Sequence, residues 1–225
     1  MAVICDARRV GPPGARGVLA IARARPWAAL CLAALAALAV ACSKPQPLAG
    51  TDLDATPAPD FALADQNGEI VQLAALRGRP VVLTFLFTQC PDVCPLTADK
   101  LRKTADLLGA AADQVAFVAV STDPPHDDAA AAKTFVEQHR LTGRLRFLVG
   151  AQSDLQPVWA AYYMYVAPSA SDDPAQRAAA NYAARTATHT DAVFVIDRQG
   201  RERTLLHSDF EPEALASTLK RLLSE

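Results

Sequence analysis

The segment Thr84–Pro95, TFLFTQCPDVCP, sets the fold class. Val81 to Phe87 is an apolar run rich in β-branched and aromatic residues. It predicts a buried strand that empties directly into Cys90 and Cys94 at the mouth of a helix. With Cys94 opening that helix, a spacing of four places both sulfurs on one face. The unsatisfied N–H groups and positive dipole end there favour thiolate over thiol. A thiolate is both nucleophile and soft metal ligand. Pro91 and Pro95 suit the geometry, because the first helical turn does not use the missing N–H and a fixed φ stiffens the loop. The alternative is a structural disulfide or two small apolar fillers, and proline-flanked cysteines at a strand-to-helix junction fit it poorly.

Around this segment the chain of 225 residues is 51% hydrophobic, enough for one sizeable domain. Residues 1–42 differ from the rest. Arginines at 8, 9, 16, 23 and 25 stand against a single acid, Asp6, and an Ala/Leu run follows from Trp27 to Ala41, the pattern of an export signal. Ala39-Val40-Ala41 before Cys42 supplies small residues where signal peptidase reads them, and Leu38–Cys42 also resembles a bacterial lipobox, with Cys42 the residue that would carry lipid. A lipidated Cys42 or a retained N-terminal helix would each tether the protein to a membrane on the periplasmic or extracytoplasmic side. Loss of residues 1–41 leaves 17 of 22 basic and 23 of 24 acidic side chains, a net charge of −6, which argues against nucleic acid as a partner. Cys5 and Cys31 leave with the signal and Cys42 is spoken for, so Cys90 and Cys94 remain. One close pair staples too small a loop to frame a domain, which points to redox or metal chemistry.

Residues 43–59, rich in proline and small polar side chains, are expected to be a flexible linker, with the folded domain spanning 60–225. Phe61 to Leu73 reads as a hairpin turning at Asp65–Gly68, and Leu76–Pro80 as a turn into the central strand. A helix with Leu101, Ala105 and Leu108 inward ends at Gly109. Strands follow at Val115–Ser121, Leu145–Val149 and Ala192–Asp197, the last paired with Arg203–Leu206 across Gln199-Gly200. Intervening helices carry Phe135 and Val136, then Leu155, Val158, Trp159 and Tyr162, aromatics expected in the core. Residues 167–187 read as a long loop with a helical turn at Ala175–Ala183, and a final helix buries Leu215, Leu219 and Leu222. This order predicts an α/β sandwich with an N-terminal hairpin and a central mixed sheet flanked by helices.

Of the four histidines, His189 stands out, at the end of the long loop directly before a buried strand. His126, His139 and His207 read as ordinary surface. Cys90, Cys94 and His189 make a soft donor set that suits Cu(I), with the imidazole also permitting Cu(II). A closed zinc site would want a fourth ligand, and an iron–sulfur cluster more cysteines.

These residues resemble the Sco/SenC copper chaperones of cytochrome c oxidase assembly, from about Phe61 to the last helix. The likeness centres on Phe87–Pro95, close to the family's CPDVCP signature. Ser121-Thr122-Asp123-Pro124, Leu141-Thr142-Gly143, and His189 before a strand ending in Asp197-Arg198-Gln199-Gly200 support it. The resemblance implies a thioredoxin-like fold, copper ligated by Cys90, Cys94 and His189, and the binuclear copper site of oxidase subunit II as client. An upstream copper donor and a thiol reductant would be further partners. The sequence departs from the family at Thr188, where an aspartate usually precedes the ligand histidine, and in the spacing of Tyr182. Loss of a partner that orients a ligating imidazole loosens a site.

Three other readings compete. A thiol–disulfide reductase would use the same redox-active pair on the same client without metal, and needs no histidine. A peroxiredoxin would carry threonine three places before its reactive cysteine, where this chain has Phe87 before Cys90 and Pro91 before Cys94. A purely structural domain at a membrane surface would leave the cysteine placement unexplained.

Overall fold

The apolar run that opens the cysteine segment is covered on both sides, as a strand without a polar face must be. The computed structural model describes residues 47–166 and 191–225. In chain order these form β1 (Thr51–Pro57), β2 (Ala62–Asp65), β3 (Ile70–Gln72), β4 (Val81–Leu86), α1 (Val93–Leu108), β5 (Ala116–Ser121), α2 (Ala129–Gln138), β6 (Leu145–Val149), α3 (Gln152–Ala161), β7 (Val193–Ile196), β8 (Arg201–Leu206) and α4 (Pro212–Ser224). The strands join in one mixed sheet of order β1-β8-β7-β4-β5-β6-β2-β3. Its centre, β4-β5-β6, is parallel, and β7 is antiparallel to β4.

The period-two alternation of the central strands divides the core between two faces. Val82, Leu86, Phe117, Ala119, Val193 and Val195 face a cluster completed by α1, α2 and α4. Val81, Leu83, Phe85, Val118, Val120, Phe194 and Ile196 face the other, completed by α3 and the β2–β3 hairpin. Thr84 is the polar residue in β4, and its hydroxyl donates to the Ala192 carbonyl at 3.0 Å, so its burial leaves no unmade bond.

From β2 onward, the order of strands and α-helices among the described residues is the one the sequence predicts. β2 and β3 pair from Ala62↔Gln72 to Ala64↔Ile70, and the turn is closed by Asp65, which accepts from the Asn67 and Glu69 amides at 2.8 and 3.0 Å. Leu215, Leu219 and Leu222 of α4 are buried, and Pro212 opens that helix. α1 ends at Gly109, whose φ of +58° suits a residue without Cβ, but the chain continues as a 3-10 segment to Gln114 that periodicity does not show. The helical turn expected at Ala175–Ala183 lies outside the described residues.

One difference falls in the expected linker. Thr51–Pro57, within the 43–59 stretch, forms β1 and pairs antiparallel with β8, from Thr51↔Leu205 to Pro57↔Arg201. Its side chains are mostly exposed, so β1 has no apolar alternation to read. Backbone pairing is its main hold, aided by Leu53 packed against the core and by the Thr204 hydroxyl, which lies 2.6 Å from the Ala49 carbonyl and 3.0 Å from that of Thr51. Gly50 makes this approach possible. Its φ is +92°, and a Cβ there would fall on the Leu205 carbonyl oxygen and within 2.8 Å of Thr204 Oγ1. Gly50→Ala should therefore release β1 from the sheet edge. Amide exchange should accelerate across residues 51–57 while β4 and β5 keep their protection, and hydrogen-exchange mass spectrometry reads both.

Candidate metal centre

Parallel strands β4 and β5 end together, Leu86 opposite Ser121, and the loops leaving that end carry the site. From β4 the chain enters a tight turn in which the Cys90 amide donates to the Phe87 carbonyl at 3.3 Å. Pro91 and Asp92 follow, and α1 begins at Val93, so Cys94 is its second residue. The N-cap residue, Asp92, makes no side-chain bond to the helix. Cys90 Sγ takes that role and accepts from the Cys94 amide at 3.4 Å. Sulfur thus replaces the usual oxygen cap at the positive end of a 16-residue helix, an environment that favours thiolate. No disulfide joins the two cysteines, and both are almost fully buried, at 5% and 4% exposure.

The loop leaving β5 packs against the cysteine turn. Asp127, 2% exposed, accepts from the Thr88 amide at 2.9 Å and the Thr88 hydroxyl at 2.6 Å through Oδ1, and from the Ser121 hydroxyl at 2.6 Å through Oδ2. Burial pushes the Asp127 carboxyl above its ordinary value, and nearby Asp123 adds to that, against the opposing effect of the three hydrogen bonds. Asp127 is the site residue that sequence reasoning missed.

A third group of residues marks where β7 begins. Thr84, near the end of β4, pairs with Val193. Just before β7, Asp191 accepts from the Ser208 amide at 3.1 Å and its hydroxyl at 2.9 Å, and lies 3.0 Å from His207 Nδ1. Lys100 of α1 donates to the Ser208 carbonyl at 2.9 Å, joining the cysteine helix to the same corner. Burial would raise the Asp191 carboxyl, but the hydrogen bonds from His207 and Ser208 outweigh it and hold the group below the usual carboxylate range.

The structure therefore brings Cys90 and Cys94 together. His189, Thr188, Tyr182 and Cys42 lie outside the described residues, and the chain re-enters description at Asp191, beside the end of the strand that leads to Cys90. His126 pairs with Asp123 at 3.0 Å, and His139 packs against Phe135 with ring centroids 4.5 Å apart and planes tilted by 44°. Among the described residues no three His, Cys, Asp or Glu side chains converge as a metal cage, so the two thiols supply two donors. As sulfur ligands they fit a soft ion such as Cu(I).

A dithiol at the head of a helix, at the end of a central parallel strand, defines a thioredoxin-like α/β domain. The SCO1/SenC family model matches residues 50–224, and the chain belongs to that family. It is similar to the SCO2-like protein RC0895 of Rickettsia conorii, 26% identical over 161 residues, which cover 72% of this chain and 74% of the relative. Among solved structures it resembles Bradyrhizobium japonicum ScoI with copper bound, at 28% identity and a TM-score of 0.62, over 75% of this chain and all of that one. The fold is also that of BsSco, described with a disulfide switch and as a member of the Sco family of cytochrome c oxidase assembly proteins. That match has 19% identity and a TM-score of 0.58, over 80% of this chain and 99% of the other.

The Asp191 corner makes a pH-dependent prediction. A carboxyl whose folded pKa is depressed contributes stability above its unfolded pKa and loses it as pH falls through the folded value. Asp191→Ala should cost about 1–3 kcal/mol at pH 7. In denaturant titrations the gap from the parent should narrow as pH is lowered through the carboxylate range.

Proposed function

We propose that this chain is an extracytoplasmic, membrane-tethered copper-binding protein of cytochrome c oxidase assembly. Its copper is cargo, held by Cys90, Cys94 and His189 and passed to the binuclear copper site of oxidase subunit II. The observation that carries the reading is the sulfur-capped helix start. Two buried thiols share one helix N-terminus, with the Cys94 amide donating to Cys90 Sγ at 3.4 Å. Membership of the SCO1/SenC family and the likeness to ScoI with copper bound support it. Cys90 and Cys94 supply the soft, charged ligands, and burial keeps water and competing oxygen ligands from the sulfurs. His189 would complete the set with the nitrogen that Cu(II) also accepts. An export signal within residues 1–42 would tether the protein there, through lipid on Cys42 or a retained hydrophobic segment.

The same thiol pair favours a second reading, in which the protein prepares the client's thiols. One thiolate attacks a client disulfide and forms a mixed disulfide, with one client thiol leaving. The other thiolate resolves it, so the client gains two electrons and Cys90–Cys94 becomes the disulfide. A thiol reductant would then restore the pair.

Anaerobic copper titration of the full chain separates the two. One Cu(I) should bind per chain, and Cys90→Ser or Cys94→Ser should abolish tight binding. His189→Ala should chiefly weaken Cu(II) and alter its ligand-field spectrum while sparing disulfide exchange. Unchanged Cu(II) spectra and affinities in His189→Ala remove the third ligand. Disulfide exchange without copper binding transfers the site to the reductase reading.

A further inference from the structure

Asp127 is a buried carboxylate whose described partners include no cation. Removing a carboxylate from water costs several kcal/mol, offset only where hydrogen bonds hold it in place. Here those bonds go to two points. Oδ2 takes the hydroxyl of Ser121, the last residue of β5, and Oδ1 takes both the amide and the hydroxyl of Thr88. Two bonds from one residue to one oxygen fix the Thr88 backbone and its side chain together. Thr88 is the first corner of the turn that the Cys90 amide closes on the Phe87 carbonyl. Its position therefore determines where Cys90 Sγ sits relative to the Cys94 amide. A second tie, from the Thr122 amide to the Leu86 carbonyl at 2.9 Å, joins the same two strand ends behind the turn but leaves Thr88 to Cys90 untouched.

We propose that Asp127 is a positioning residue for Cys90: acting through Thr88, it holds the cysteine turn so that Sγ stays on the amide of Cys94, and so sets the redox balance and copper affinity of the pair. The copper half of this statement rests on the reading of Cys90 and Cys94 as copper ligands, and the redox half stands without it. The described geometry is that of the dithiol. Loss of the clamp removes support from the reduced form, so the equilibrium shifts toward the disulfide and the pair becomes more reducing.

The test uses the full chain in glutathione redox buffers, with the Cys90–Cys94 pair read by differential alkylation and peptide mass spectrometry, and Cu(I) affinity read against a chromophoric chelator. Asp127→Asn should shift the glutathione equilibrium toward disulfide by about tenfold, equivalent to about 30 mV. It should weaken Cu(I) binding by about 10- to 100-fold, the range for a residue behind a metal ligand. Thr88→Val, which deletes one hydroxyl and no charge, should move both in the same direction by a smaller factor, and Thr88→Ser should restore parental behaviour. Asp128→Ala is the control. Asp128 caps α2 through the Ala131 amide at 2.7 Å, so its loss should lower stability and leave both readouts unmoved.

If Asp127→Asn and Thr88→Val leave the equilibrium unchanged, or Asp128→Ala shifts it equally, the proposal is overturned. A shift with Asp127→Asn alone overturns the route through Thr88. If Asp127→Asn does not fold, Thr88→Val and Thr88→Ser decide by themselves. Failure of the parent chain to bind Cu(I) would remove the copper reading, while the glutathione equilibrium would still judge the clamp.

Discussion

Burial of β4 on both faces is the constraint on which the rest depends. Six consecutive residues, Val81 to Leu86, have no exposed side. Each face needs its own cover, and each neighbour must be a strand that completes the hydrogen-bond ladder. β5 supplies one ladder in parallel and β7 the other antiparallel. A parallel neighbour requires a crossover, and α1 is that crossover. The cysteines therefore occupy the one place where the central strand must hand over to its helix. Their location follows from the topology before any chemistry is considered.

The loops at that end carry the polar groups that the core cannot accept. Ser121, Asp123 and Asp127 leave β5, Asp191 precedes β7, and His207 and Ser208 follow β8. Asp127 ties the β5 exit to the β4 exit, and Asp191 ties the β7 entry to the β8 exit. Lys100 connects the second corner to α1, with its ammonium also 5.4 Å from the centre of the Phe210 ring. Each loop is thus bonded to a neighbouring loop as well as within itself.

The apolar runs and the cysteine segment were legible because their signals are local. Val81–Phe87, Ala116–Val120 and Val193–Ile196 are continuous enough to name buried strands, and proline flanks the cysteines within five residues. β1 was hidden for the opposite reason. An edge strand with exposed side chains needs only backbone pairing, and Asp52, Asp54 and Pro57, which keep its outer edge from pairing further, are residues that read as linker. Asp127 was hidden because Asp123, Asp127 and Asp128 lie within six positions, two of them buried and one exposed, and local pattern does not show which of them holds the cysteine turn. The choice is made by Thr88, 39 residues away. His189 was named from its place at the end of the long loop before a strand and from the family resemblance, and it lies outside the described residues.

The two sulfurs rest on supports of different stiffness, and this decides how the pair can respond. Cys94 belongs to α1, whose Ala98, Leu101 and Ala105 are wholly buried against the sheet, so its backbone moves only if the helix does. Cys90 belongs to a short turn that follows Phe87, Thr88 and Gln89. A dithiol, a disulfide and a metal dithiolate each demand a different separation between sulfurs. The adjustment must fall on the side that costs less, which is the turn. A turn free to adjust would blur the preference among those states, and a turn fixed on two bonds to one buried carboxylate keeps it. On the proposed clamp, the selectivity of the site would therefore be held in the polar contacts behind Cys90 rather than in the helix that presents Cys94.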